Sequence, residues 1–403
     1  MSKFTVPQPL IDLAGLPPLL RTSEPGSFAH NTLRVRVPAI LQETISLNAF
    51  PPEIRRDLEE LRAELVGGAV RPLREDAADR AFWEEVSAAC YGHSWLDAPW
   101  YWAEAYFYRR VLEATRYFQP GPWQGLDPYA AKKQAEWAPD AAPRLVNTLL
   151  ESLPTERLAR CEHLFHASLW GNRADLSYAV AAHLDGASDP HQHRSNLLAD
   201  DTPAVWRFLS SRPRPRVTLL ADNAGTELLT DLALTDFLLT ESLAGEIHLH
   251  LKRQPFFVSD AMPGDLLTGL AALAHGGPAG QALGGRLRGC LASGRLRLVT
   301  HWHAVTSLFY SQIPNDLYHD LAAADLVIVK GDANYRRLVG DAHWPATTPF
   351  EAAVGYFPAA LVALRTLKSE LIVGLQPGDA ERLAVEDPAW LVNGQRGVIQ
   401  ARL

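Results

Sequence analysis

Beyond residue 200 the chain repeatedly sets a short apolar run, a cluster of turn residues and a helical stretch in that order. The runs are RVTLLADN (216–223), EIHLHLK (246–252), RLRLVTHWH (295–303), DLVIVKGD (325–332) and ELIVGLQPG (370–378). Each is too short for a helix and is flanked by Gly, Pro, Asp or Asn, so each reads as a strand. Strands separated by helix-length segments are joined by crossovers, which gives a parallel sheet covered by helices on both faces. In EIHLHLK the alternation is strict, with Ile247, Leu249 and Leu251 on one side and His248 and His250 on the other. Ligands of such open sheets bind beyond the carboxyl ends of the strands, so chemistry is sought at the strand exits.

The first part of the chain has a different texture. PPEIRRDLEELRAELVGG (51–68) and DRAFWEEVSAACYG (79–92) space apolar residues three and four apart, as amphipathic helices do. PWYWAEAYFYRRVLEATRYF (99–118) is denser in aromatics and reads as a helix buried on most sides. The whole is expected to be an open, Rossmann-like, mostly parallel α/β lobe over 166–403, preceded by a mainly helical lobe over 1–165. At 403 residues the chain exceeds the usual single-core size, in keeping with two lobes.

A net charge of −8 argues against an extended nucleic-acid footprint but leaves room for a locally positive pocket around a small anion. Cys90, Cys161 and Cys290 are scattered and odd in number, which suggests neither a disulfide framework nor a zinc site and points to a reducing cytoplasm. No stretch of about 18 apolar residues occurs, so no membrane span is expected. Neither a signal peptide nor an oligomeric state can be read from the residues.

Several strand exits carry candidate residues. The first run ends in Asp222-Asn223, followed at once by a helix with Glu227 in its first turn. Paired Asp and Asn side chains offer hard oxygen ligands suited to Mg²⁺ or Mn²⁺; they are equally the residues that cap helices. The second run leads through Pro255-Phe256-Phe257-Val258-Ser259 to Asp260, a second carboxylate near the same edge or another cap. The fourth exits as Lys330-Gly331-Asp332-Ala333-Asn334-Tyr335-Arg336-Arg337, either an anion-binding helix start or a solvated turn. Arg365-Thr366-Leu367-Lys368 can grip a phosphate, although alone it also fits the charged end of a surface helix. The pairs His248/His250 and His301/His303 lack a third ligand in context and read as structural. No serine-hydrolase elbow, Walker A loop, kinase signature or dinucleotide fingerprint is present.

Together the segments LLADNAGTELLTDLALTDFLL, PFFVSDAMPGD, ADLVIVKGDANYRRLVGDAHWP and ALRTLKSEL, in that order, resemble the damage-control phosphatase family, formerly domain of unknown function 89. The branch resembled is the one with a C-terminal Arg-Thr-x-Lys motif. The likeness extends upstream through SLWGNRADLS and GLDPYAAKKQ, and Ala333 and Phe256 depart from the usual leucine and tryptophan. The resemblance implies that Asp222, Asn223 and Asp260 hold a divalent metal, Mn²⁺, Mg²⁺, Co²⁺ or Ni²⁺. It places Glu227, Asn172, Asp175, Asp332, Asn334, Tyr335, Arg336, Arg365 and Lys368 around the substrate. The expected activity is hydrolysis of phosphate monoesters, sugar phosphates such as fructose phosphates or related damaged metabolites, with Lys330, Arg336 and Lys368 neutralising the phosphate. Two alternatives stand beside it: methyl transfer from S-adenosylmethionine to a protein carboxylate, described for this branch, and a non-catalytic sugar-phosphate sensor. A methyl donor needs no set of oxygen ligands, and no Gly-rich loop follows the first strand, which weighs against the former.

Overall fold

The computed structural model describes residues 4–74, 77–137, 141–171 and 196–403. Seven strands form one sheet: β1 (Leu197–Asp200), β2 (Arg216–Leu220), β3 (Glu246–Leu251), β4 (Leu296–Thr300), β5 (Leu326–Lys330), β6 (Leu361–Thr366) and β7 (Gly397–Arg402). Their order is β1-β7-β6-β5-β2-β3-β4. Every neighbouring pair is parallel except β6 and β7. From β2 the chain crosses to β3 on one side, and from β5 to β6 on the other. The connections therefore leave adjacent strands in opposite directions, which opens a crevice at the carboxyl ends of β2 and β5.

The helices that frame this crevice are α1 (Pro52–Gly67), α2 (Trp100–Ala114), α3 (Ala130–Trp137), α4 (Ala141–Glu151), α5 (Arg157–Trp170), α6 (Gly225–Thr240), α7 (Pro263–Ala272) and α8 (Asp332–Val339). Side-chain alternation along the strands divides them between two apolar layers. Val217, Leu219, Ile247, Leu249, Leu326 and Ile328 pack with residues of α5 and α6 such as Leu164, Phe165, Leu228 and Leu232. On the opposite face Leu220, Val327, Val329 and Ala363 share a core with Leu58 and Leu61 of α1 and Tyr101, Tyr106 and Phe107 of α2. Residue 165, the expected end of the helical lobe, lies inside α5, and α5 itself packs on the sheet layer.

Helix α2 is buried along its whole length, as its aromatic density led one to expect. Its four charged residues survive there because each has a counterpart. Arg109 pairs with Asp79 at 2.8 Å, Arg110 with Glu64 at 3.0 Å and Glu113 at 3.2 Å, and Glu104 with Arg336 at 2.6 Å.

The strand pattern departs from the sequence reading in one region. ELIVGL (370–375) is not a strand, although Leu371, Ile372 and Val373 are buried. Its backbone is satisfied outside any ladder: Val373 O accepts from Gln400 Nε2 at 2.8 Å, and Gly374 N donates to Thr348 O at 2.7 Å. The ladder runs instead through LVALRT, which Arg365 disguises as a polar segment, and continues to the unforeseen antiparallel β7. Strand β1 was likewise unforeseen.

Arg336 ties the helical region to the sheet. Its Nε and Nη2 donate to Asp341 at 2.7 and 3.0 Å, its Nη1 donates to Glu104 at 2.6 Å, and its guanidinium lies 3.6 Å from the Trp100 ring centre. Asp341 Oδ2 also accepts from Tyr101 N at 2.9 Å, satisfying a free N–H in the first turn of α2. Replacement Arg336→Met leaves two buried carboxylates without their cation, a change worth about 3–5 kcal/mol. Urea denaturation is expected to show that loss, and a midpoint equal to wild type would contradict it.

Candidate functional site

The capping alternative for Asp222 and Asn223 fails on geometry. The N-cap of α6 is Ala224, which makes no side-chain cap bond. At α7 the N-cap is Met262, whose N–H is accepted by Asp265 at 2.8 Å, so Asp260 caps nothing there either. Instead the two exits meet: Asn223 and Asp260 form an isolated antiparallel bridge. Ala224 N donates to Ser259 O at 2.7 Å and Ala261 N to Asp222 O at 2.8 Å. Asn223 Nδ2 donates to Asp222 Oδ2 and to Glu227 Oε2, each at 2.9 Å, while Ser259 Oγ donates to Asn223 Oδ1 at 2.5 Å. Asp222, Asn223, Glu227 and Asp260 are all buried.

The strap that delivers Asp260 is strained. Phe257 and Val258 both take left-handed backbone angles, φ +43° and +65°, which a bulky or β-branched residue adopts at a cost. Aromatic contacts from α2 hold it: Phe257 lies 4.9 Å from Tyr108 and 5.9 Å from Tyr101 between ring centres. On the β5 side Gly331 has φ +83°, and a Cβ there would overlap the Asp222 carboxylate. Only glycine lets that turn pass so close.

The acids crowd one another. Burial, then the charges of Glu227 and Asp260, push Asp222 well above the usual carboxylate range, against the pull of Lys252 and Lys368. Burial likewise raises Asp260 to about 6, against Lys252, whose ammonium lies 3.3 Å from Asp260 Oδ2. Lys133 of α3 donates to the Asp260 carbonyl at 2.9 Å and pairs with Asp127 and Asp265 at 3.1 and 3.0 Å. Asp231, one helical turn beyond Glu227, is pushed up to about 6, again chiefly by burial.

The expected phosphate cations mostly have internal work. Lys330 is fully buried, pairs with Asp231 at 2.9 Å and Glu227 at 3.4 Å, and donates to the Ser168 hydroxyl and carbonyl. Arg336 is occupied by Asp341 and Glu104. Arg365 donates to Asp332 Oδ1 and Ser369 Oγ at 2.7 Å each and stacks 4.3 Å over Tyr335. Asp332 also accepts from Lys368 N at 3.2 Å; burial would raise it, but Arg365 and Arg336 outweigh that and hold it below its usual value. Tyr335 donates to Gln400 Oε1 at 2.9 Å. Asn334 bridges the two exits, donating to Ala221 O at 3.3 Å and Lys330 O at 2.9 Å. Lys368 differs from these. Its ammonium makes no ion pair among the described residues, yet its charge reaches Asp222. Asn172 and Asp175 lie outside the described residues.

Two carboxylates and an amide are the donor set that hard divalent cations take. Their fit is supported by the raised Asp222 and Asp260 carboxyls, pushed up by burial and then by the neighbouring Glu227 charge, which a cation would lower. Among the described residues no three His, Cys, Asp or Glu side chains form a metal cage. Asn223 places its NH₂ between two carboxylates; turning that amide about its Cβ–Cγ bond would offer oxygen instead. Lys252, Lys133, Asp231 and Ser168 were not foreseen. The signal for Lys252 was its place at the end of β3, matching Lys330 at the end of β5.

The profile of the damage-control phosphatase ARMT1-like domain matches residues 32–383. The damage-control phosphatase ARMT1 of Rattus norvegicus is 33% identical, covering 96% of this chain and 99% of that protein. The protein of the same name from Danio rerio is 33% identical over 93% and 94%. That from Homo sapiens is 30% identical over 96% and 99%. A crystal structure of a DUF89 family protein from Pyrococcus horikoshii superposes with a TM-score of 0.50, covering 92% of this chain and 98% of that one at 13% identity. That likeness supports the fold. By the family profile and by relatives at this level of identity over nearly the whole chain, the protein belongs to the damage-control phosphatase ARMT1-like family.

Proposed function

We propose that this protein is a divalent-metal-dependent phosphatase that hydrolyses small phosphate monoesters of the sugar-phosphate class. The observation that carries the reading is the Asn223–Asp260 bridge, which brings the buried carboxylates of Asp222 and Asp260 together from the exits of β2 and β3, with the Lys368 charge acting on Asp222. Asp222, Asn223 and Asp260 would hold the metal, with Mn²⁺, Mg²⁺, Co²⁺ and Ni²⁺ as candidates. When bound, such an ion acts as a Lewis acid toward phosphoryl oxygens.

The chain's own residues supply the remainder. Lys368 offers an ammonium with no ion pair among the described residues, placed to neutralise phosphate charge as it spreads in the transition state. Arg365 and Ser369 grip Asp332, and Asp332 accepts from Lys368 N, so the backbone that carries the lysine is fixed. Glu227 orients the Asn223 amide, and Lys330 counters Glu227 and Asp231 from beneath. Burial keeps bulk water from screening these charges. Lys330 and Arg336 thus support the site through internal ion pairs, and Lys368 is the direct phosphate ligand.

Phosphate release from a panel of sugar phosphates is expected to stop in EDTA and return with Mn²⁺, Mg²⁺, Co²⁺ or Ni²⁺. Asp222→Asn is expected to lower it by on the order of 10²–10³-fold. Release indifferent to both changes would overturn the metal assignment. Methyl incorporation into a carboxylate without phosphate release would replace the reading by methyl transfer, and binding without turnover would replace it by a sensor.

Lys368→Met removes one charged contact and is expected to cut kcat/KM by roughly 10–100-fold. Because that ammonium has no ion pair among the described residues, the urea midpoint is expected to stay near wild type. An unchanged kcat/KM would remove Lys368 from the substrate site.

A further inference from the structure

Behind the carboxyl ends of β2 and β3, on the layer shared with α2, lies a small cavity of about 20 Å³. Its charged lining is cationic: Arg337 of α8 and Lys252, beside the imidazoles of His250, His301 and His303. Among the described residues no carboxylate lines it. Tyr310 and Asn334, also in the wall, are engaged with each other, the Tyr310 hydroxyl donating to Asn334 Oδ1 at 3.0 Å.

Arg337 is the anomaly. It is 1% exposed, yet it makes no ion pair among the described residues, whereas Arg109, Arg110, Arg336 and Arg365 each meet a carboxylate. Its Nε donates to Leu308 O at 3.0 Å, and its Nη2 donates to His303 O at 2.8 Å and His303 Nδ1 at 2.9 Å. His303 Nε2 lies 3.1 Å from Phe309 O, so that nitrogen carries the proton and Nδ1 accepts. Burial, then the neighbouring Arg337 charge, hold His303 well below its usual pKa, which keeps the ring neutral. The ring faces of Tyr310 and Tyr101, at 4.8 and 6.0 Å, offer only partial compensation. Nη1 has no hydrogen-bond partner among the described residues. A buried guanidinium with unused N–H groups and no counter-charge is costly, and the space beside it is large enough for one water-sized particle.

We propose that this cavity is a binding site for a single small monovalent anion of the halide class, held against Nη1 of Arg337. The ion satisfies the unused donors and supplies Arg337 with the negative charge that no side chain among the described residues provides. The cavity adjoins the candidate metal site: Ala221, next to Asp222, lines it, as does Lys252, whose ammonium lies 3.3 Å from Asp260 Oδ2. A wet cavity would satisfy the donors but leave the charge uncompensated.

The test uses the full-length protein in EDTA, so that a divalent metal plays no part. Melting is followed at fixed ionic strength while sodium gluconate, whose anion is too large for the cavity, is replaced by sodium chloride or bromide. A saturable upward shift of Tm, on the order of 1–3 °C, is expected in both halides. Arg337→Met is expected to abolish the shift. Should that variant not fold, crystals of the wild-type protein grown in bromide decide the matter. An anomalous peak against Nη1 supports the site; water density there without a bromide peak, or equal melting in gluconate and halide, overturns it.

Discussion

Asp222, Asp260 and Glu227 bring three acid groups into one buried place, and such a cluster persists in a folded chain only when cations counter it. Most of the surrounding structure answers that requirement. Lys252 ends β3 against Asp260, Lys330 ends β5 against Glu227 and Asp231, and Lys133 reaches from α3 to the Asp260 carbonyl. Even so, burial and mutual repulsion leave Asp222 and Asp260 raised. On the proposed function, a divalent cation between the carboxylates would complete the compensation and so couple metal binding to the fold's stability.

The sheet topology creates the place where this happens. Because β2 and β5 are neighbours whose connections diverge, the Asp222 exit and the Gly331 turn abut, and only a glycine there leaves room for the carboxylate. The helical region then fixes what the sheet brings together. Tyr101 and Tyr108 of α2 hold the strained Phe257-Val258 backbone that delivers Asp260. The Arg336 knot anchors the same helix to α8. Strain of this kind is retained where surrounding contacts over-determine it, as they do around this strap.

Much of this was legible in the residues. The Asp-Asn pair after an apolar run, the Ser-Asp at the second exit and the lysine ending the fourth run all carry local signals, and the family motif order bound them together. What was not legible depends on distant partners. Arg336 looks like a phosphate ligand beside Asp332, yet its charge is taken by Glu104, 232 residues away in sequence. Arg365 hid strand β6 because a buried arginine mimics a polar segment, while the apolar ELIVGL run drew attention from it. Lys133 and Asp231 stand inside the family-like segments GLDPYAAKKQ and LLADNAGTELLTDLALTDFLL, but nothing local singles them out; both acquire meaning only when α3 and α6 close on the Asp260 strap and on Lys330.

The claim on which the account turns is that Asp222, Asn223 and Asp260 share one divalent ion. Crystals grown with Mn²⁺ and measured at the manganese absorption edge test it directly. The account predicts a single strong anomalous peak between the Asp222 and Asp260 carboxylates, within coordinating distance of the Asn223 amide. A manganese peak elsewhere, or none at these three residues, would contradict it.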